Sequence, residues 1–167
     1  NYLKDQKIHK SMNFSKIKSF AKVNLALNII SKSSKLHNIE SLVTFINLYD
    51  LILIKEIKSK KNRISFTGKF SKNINSNNTV SKLFKILDEK KLIRKKFHIR
   101  IIKNIPQKAG LGGGSMNAAS ILNYLIKKRL IRINKKEILE IASFVGSDVI
   151  LGLETCNSIL TSKNYLE

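Results

Sequence analysis

Alternation of apolar and polar positions governs the first third of the chain. From Lys22 to Ile30, Val23, Leu25, Leu27 and Ile29 fall on one side of a strand; Lys22, Asn24, Ala26 and Asn28 fall on the other. Lys16 to Ser19 reads as a short strand leading into it, and Ser31 to Asn38 as a polar loop. Ser41 to Asn47 and Leu51 to Lys58 read as two strands joined near Asp50, with Arg63 to Thr67 as another. The period then changes. After an Asn- and Ser-rich loop, Asn73 to Asn78, the residues Val80, Leu83, Phe84 and Leu87 recur at helical spacing. Phe97, Ile99 and Ile101 return to strand alternation within Phe97 to Lys103. Ala118, Ile121, Leu122 and Leu125 mark a second helix over Ser115 to Lys128. Asn134, with Glu137 three residues on, caps a third helix that would bury Ile138, Ile141, Ala142 and Val145 and stop at Gly146. Ser158 to Thr161 begins a last strand. Strands first, then a βα unit and more helix, make the fold class α+β.

Composition narrows the picture. At 167 residues and 43% hydrophobic, the chain is about one domain with material for a core. Asn1 to Ser11 lacks periodicity and reads as an upstream segment outside the fold, which runs over 12–167 with Met12 as the guessed start. No apolar run reaches the roughly 18 residues of a membrane span, and no signal-peptide pattern opens the chain. Cys156 is the single cysteine, so a reducing cytoplasm is the expected compartment. The net charge of +21 has two readings, a nucleic-acid surface or a lysine-rich compositional bias. The lysines are spread along the chain, and the 7% of aromatics do not interleave with them as a base-stacking platform requires. Bias is therefore preferred, with a basic RNA-binding module as the rival.

The densest chemistry lies in one stretch. Of seven glycines, Gly110, Gly112, Gly113 and Gly114 fall together, just after Pro106, the only proline. A glycine-rich turn between a strand and a helix leaves backbone N–H groups open at a helix start, which suits a phosphate. Two common phosphate motifs fail: Ser115 stands where G-x-G-x-x-G needs its last glycine, and no lysine follows Gly114. Taken alone, the loop fits a tight turn equally well.

Three separated segments carry a resemblance. They are Phe20-Ala21-Lys22-Val23-Asn24-Leu25, the stretch from Ile105-Pro106 through Gly110-Leu111-Gly112-Gly113-Gly114-Ser115-Met116-Asn117-Ala118-Ala119, and Val145-Gly146-Ser147-Asp148-Val149. In order and spacing they resemble the GHMP small-molecule kinases, from about Ser15 to the last residue. The resemblance implies the N-terminal domain of that family, a ribosomal-protein-like β-α-β fold whose mixed sheet is packed with helices. It implies that the family's second, C-terminal domain is absent from the sequence given. It also implies ATP and Mg²⁺. Pro106, Gly110, Leu111, Gly112, Gly113, Gly114, Ser115 and Asn117 would hold the ATP phosphates, with Ser115 also near the metal. Asp148 would be the catalytic base and Lys22 its electrostatic partner. Asn24 and His37 would bind substrate, and Asn77 and Asn78 would border the adenine pocket. Plainer alternatives stand beside these roles: Ser115 as a helix N-cap, Asp148 as a turn residue, Lys22 as a solvated edge lysine, Asn24 as part of a polar outer face, His37 as a loop residue, Asn77 and Asn78 as loop or cap residues.

The branch resembled phosphorylates a cytidine-diphosphate-linked methylerythritol in non-mevalonate isoprenoid biosynthesis. Kinases of the same family acting on mevalonate, homoserine or a sugar are the alternatives. Four positions depart from the family pattern: Leu36 where an aromatic precedes the histidine, Met116 for a serine, Ser147 for an alanine and Ile150 for a proline.

Overall fold

A long hairpin forms one side of the molecule. In the computed structural model, which describes residues 13–32, 37–153 and 158–160, β1 (Ser15–Lys32) pairs antiparallel with β2 (His37–Ile57). The expectations for residues 1–12, Leu36, Cys156 and Thr161 lie outside the described residues. β3 (Arg63–Thr67), α1 (Thr79–Glu89) and β4 (Lys96–Ile102) follow. Then come α2 (Gly113–Lys127), α3 (Lys135–Val145), a 3₁₀ helix (Ser147–Leu153) and β5 (Ser158–Leu160). The sheet order is β1-β2-β4-β3, with β5 beside β2. β3 and β4 are parallel, as a strand–helix–strand connection through α1 allows; the other pairs are antiparallel. The sheet is thus mixed and the class is α+β.

Two expected strand breaks are absent. Lys16 to Ser19 and Lys22 to Ile30 belong to one strand, and Asp50 lies inside β2, opposite Ser19, instead of joining two strands. The ladder is irregular where the sequence suggested breaks. Phe20 faces Tyr49, whereas Ala21 faces Ile46. Such a bulge bends a strand without ending it.

A second irregularity, between Asn24 and Ala26, accompanies a failure of the simple alternation. Leu25, expected on the buried face, is 61% exposed, and Lys22, expected on the polar face, is 6% exposed. A one-residue change of register reverses which side chains face inward.

The helices cover one face of the sheet. Ile52 and Ile54 of β2 and Phe97, Ile99 and Ile101 of β4 meet Val80, Leu83, Phe84 and Leu87 of α1, Ile121, Leu122 and Leu125 of α2, and Ile141, Ala142 and Val145 of α3. Truncating a fully buried member such as Leu83 or Leu122 to alanine would cost about 2–5 kcal/mol. Ile138 is only partly buried. α3 begins at the expected capping box: Asn134 Oδ1 accepts from Glu137 N–H at 2.9 Å, and Asn134 N–H donates to Glu137 Oε2 at 2.8 Å. It ends at Gly146, whose backbone is extended (φ 169°) and leads into the 3₁₀ helix. Among the described residues, no helix is long and apolar enough to cross a membrane.

Candidate active site

The glycine-rich stretch forms a compact loop between β4 and α2. Lys108, Gly110 and Gly112 all have positive φ, at 57°, 71° and 65°. That conformation suits glycine and strains lysine modestly. The loop is tied to its surroundings on two sides. Gln107 Nε2 donates to the carbonyls of Phe70 and Lys72, both at 2.7 Å, and Lys22 N–H donates to Leu111 O at 3.1 Å.

α2 starts at Gly113, so Gly112 is the N-cap and Ser115 is the third helical residue, not the cap. Gly112 has no side chain to satisfy the first N–H groups, which leaves them available to a ligand. Two other helix starts converge on this point. Thr79, the first residue of α1, donates from Oγ1 to Gly114 O at 2.7 Å. Gly146, just before the 3₁₀ helix, lies so close that a Cβ there would stand 3.5 Å from Ser115 Oγ and 4.0 Å from Thr79 Cγ2. Helix starts carry partial positive charge, so their convergence creates an anion-attracting corner.

Beside this corner lies an ion pair. Lys22 Nζ stands 3.3 Å from Asp148 Oδ2 and donates to Asn24 Oδ1 at 3.0 Å. The ammonium is therefore held between an amide oxygen on its own strand and a carboxylate in the first turn of the 3₁₀ helix. The Asp148 side chain is one-third exposed, so one side of the carboxylate is open to an incoming group.

The tertiary structure thus joins Lys22, Asn24, Asp148, Gly112, Gly113, Gly114 and Ser115. Pro106 and Leu111 lie along the loop, and Gly110 is exposed at its turn, with open space where a Cβ would stand. Asn78 borders the site as the N-cap of α1. Its Oδ1 accepts from Val80 and Ser81 N–H, both at 3.1 Å, and its Nδ2 donates to Asn75 O at 2.9 Å. Its side chain is thus committed to capping, and Asn77 is exposed beside it. His37 is the first residue of β2 and pairs with Lys32, the last residue of β1. Asn117 points away from the corner into the interior, where it is 1% exposed.

Beneath the loop is a buried polar cluster that sequence reading missed. Asp50 is fully buried. Its Oδ1 accepts from the N–H groups of Asn104 (2.8 Å) and Ile105 (2.9 Å), and its Oδ2 accepts from Asn117 Nδ2 (3.0 Å) and from Lys103 Nζ. Strand parity carried the signal. Asp50 continues the inward series of Ile52 and Ile54, and Lys103 continues that of Phe97, Ile99 and Ile101. Two opposite charges on inward positions imply a buried pair. A cavity of about 430 Å³ between β1 and α2, lined by Ile17, Phe20, Phe45 and Tyr124 among others, includes neither member of the Lys22–Asp148 pair and none of the loop glycines.

A glycine-rich loop at converging helix starts thus lies on a mixed sheet with a lysine–aspartate pair beside it. Residues 78–156 match the GHMP kinases N terminal domain, and the chain has the fold of that domain. It is 60% identical over 157 residues to the 4-diphosphocytidyl-2-C-methyl-D-erythritol kinase of Pelagibacter ubique (strain HTCC1062), covering 93% of this chain and 56% of that protein. It is 37% identical to the kinase of the same name from Clostridioides difficile (strain 630), covering 83% of this chain and 47% of that protein. The chain therefore spans about half the length of these relatives. Among solved structures, a 4-(cytidine 5'-diphospho)-2C-methyl-D-erythritol kinase superposes with a TM-score of 0.71 at 22% identity, over 92% of this chain and 54% of that one. A homoserine kinase from Cytophaga hutchinsonii gives 0.62 at 18% identity, over 93% and 50%. These two likenesses concern the fold.

Proposed function

We propose that this chain is the ATP-binding part of a kinase that phosphorylates the 2-hydroxyl of 4-(cytidine 5'-diphospho)-2-C-methyl-D-erythritol, a step of isoprenoid biosynthesis in the cytoplasm. The observation that carries the reading is the Lys22–Asp148 pair, 3.3 Å apart, beside an uncapped glycine-rich helix start. The 60% identity to a relative of that name supports the acceptor.

The residues fit a nucleoside triphosphate. The N–H groups of Gly113, Gly114 and Ser115 have no intrahelical partner and can donate to phosphate oxygens. The absence of a Cβ at Gly112, Gly113 and Gly114 lets those oxygens approach the main chain. The Ser115 hydroxyl lies at the same corner and would reach a phosphate oxygen or Mg²⁺, which, bound with ATP, neutralises phosphate charge. Asp148 takes the proton of the acceptor hydroxyl as its oxygen attacks the γ-phosphate. Lys22 orients that carboxylate and stabilises negative charge on the attacking oxygen, while Asn24 holds Lys22 in place. Pro106, Gly110 and Leu111 shape the cradle. Asn78 and Asn77 form the edge of an adenine site at the start of α1, and His37 serves the acceptor. The charge of +21 draws in an anionic nucleotide.

The test is acceptor-dependent ADP release by the protein expressed from its full reading frame, alongside ATP titration. Absence of ATP binding would overturn the kinase reading. ATP binding with no transfer to this acceptor would overturn the acceptor assignment alone.

A further inference from the structure

We propose that Asp50 is the positioning residue of the glycine loop, a buried clamp that holds both of its ends. The inference rests on reading that loop as the ATP phosphate cradle. Asn104 and Ile105 immediately precede Pro106, and Asp50 Oδ1 accepts both of their N–H groups at 2.8 and 2.9 Å. Asn117 lies in the first turns of α2, and its Nδ2 donates to Asp50 Oδ2 at 3.0 Å. One carboxylate thus ties the entry and the exit of the segment that carries the cradle. Between those ties, the loop turns through the positive-φ residues Lys108, Gly110 and Gly112, with further anchors at Gln107 and Leu111.

A carboxylate beneath a helix start would by itself oppose a bound phosphate. Lys103 removes that conflict. Its Nζ pairs with Asp50 Oδ2 and lies 3.3 Å from where a Cβ on Gly113 would stand, directly under the first residue of α2. The pair is neutral overall, and the cradle keeps its attraction for anions. An aspartate is the residue type this arrangement needs, because only a carboxylate presents acceptors on both oxygens. An asparagine has one acceptor and must release one end of the loop.

The experiment uses the charge-neutral double variant Asp50→Asn/Lys103→Met and, separately, Asn117→Leu, which leaves the ion pair intact. Native-state hydrogen exchange is read at Asn104, Ile105 and Met116 to Ala119, with the amides of Ile54 and Ile99 as internal controls, and Mg·ATP affinity is titrated in parallel. The double variant should exchange about tenfold faster at one end of the loop, the scale of losing one or two hydrogen bonds, with the controls unchanged. Asn117→Leu should show the acceleration at α2 alone. Both should bind ATP about tenfold more weakly. Folded variants with the parent's loop exchange and ATP affinity overturn the proposal, as does uniform destabilisation without selective loss at the loop. If the double variant does not fold, Asn117→Leu decides. If the parent binds no ATP, the functional reading fails while the exchange measurements still decide the clamp.

Discussion

The side chain of Lys22 passes directly over Gly112. A Cβ built on that glycine would stand 2.8 Å from Lys22 Cγ and 3.2 Å from its Cε. The absence of a side chain at Gly112 is therefore what lets Lys22 cross the loop and reach Asp148. Loop and ion pair are coupled through one missing methyl group.

Gly112→Ala should accordingly do two things. Its φ of 65° costs about 1–2 kcal/mol for an L side chain, and the new methyl displaces Lys22. Gly110→Ala, at φ 71° with open space around it, should show the strain alone. Urea unfolding should show the strain in both variants, with the larger loss in Gly112→Ala. Turnover should fall far more in Gly112→Ala, and equal activity losses would separate Lys22 from the loop. Gly113 differs from both: its φ is not positive, and a side chain there meets Ile105 Cγ2 at 3.0 Å.

Asp148→Asn should lower turnover by at least ~10²-fold, the usual scale for a positioned base. ATP affinity should hardly change if the carboxylate serves the acceptor as proposed. If the ion-paired groups act as one unit, the double variant with Lys22→Met should be much less impaired than the product of the single effects. Fully multiplicative losses in ADP-release kinetics would refute that coupling.

Asn78→Ala should destabilise the domain by about 0.5–2 kcal/mol through loss of the α1 cap. Asn78→Asp keeps the capping oxygen and should restore most of that stability in thermal unfolding. If Asn78 also borders the adenine, Asn78→Asp should still bind ATP more weakly than the parent. Full recovery of both stability and affinity would leave Asn78 a cap and nothing more.

His98 should titrate below its ordinary value of 6.5. Burial lowers it first, followed by the charges of Lys55, Arg100 and Arg63. The ladder explains the crowding, because His98 pairs with Lys55 on one side and Arg63 on the other. A lowered pKa means that folding disfavours the protonated ring. The associated stability is present above pH 6.5 and is lost as pH falls through the lower, folded value. NMR titration of the ring should show the depressed midpoint, and His98→Gln should flatten the pH dependence of unfolding over that window.

The sequence by itself determined the helices and the glycine-rich turn between a strand and a helix. Helical spacing in Val80, Leu83, Phe84 and Leu87, the Asn134–Glu137 box and the left-handed glycines are set by neighbours a few residues apart, where backbone geometry and side-chain reach decide the outcome. The motif pattern added Lys22 and Asp148 as a pair. Only the tertiary structure decided that β2 runs unbroken through Asp50, that Leu25 faces outward while Lys22 is buried, and that Asn117 turns inward to a carboxylate. Each of these depends on a partner far along the chain or on a bulge that changes strand phase. A buried charge is tolerable only where its counter-charge and donors arrive from other elements, and no local pattern states where those will be.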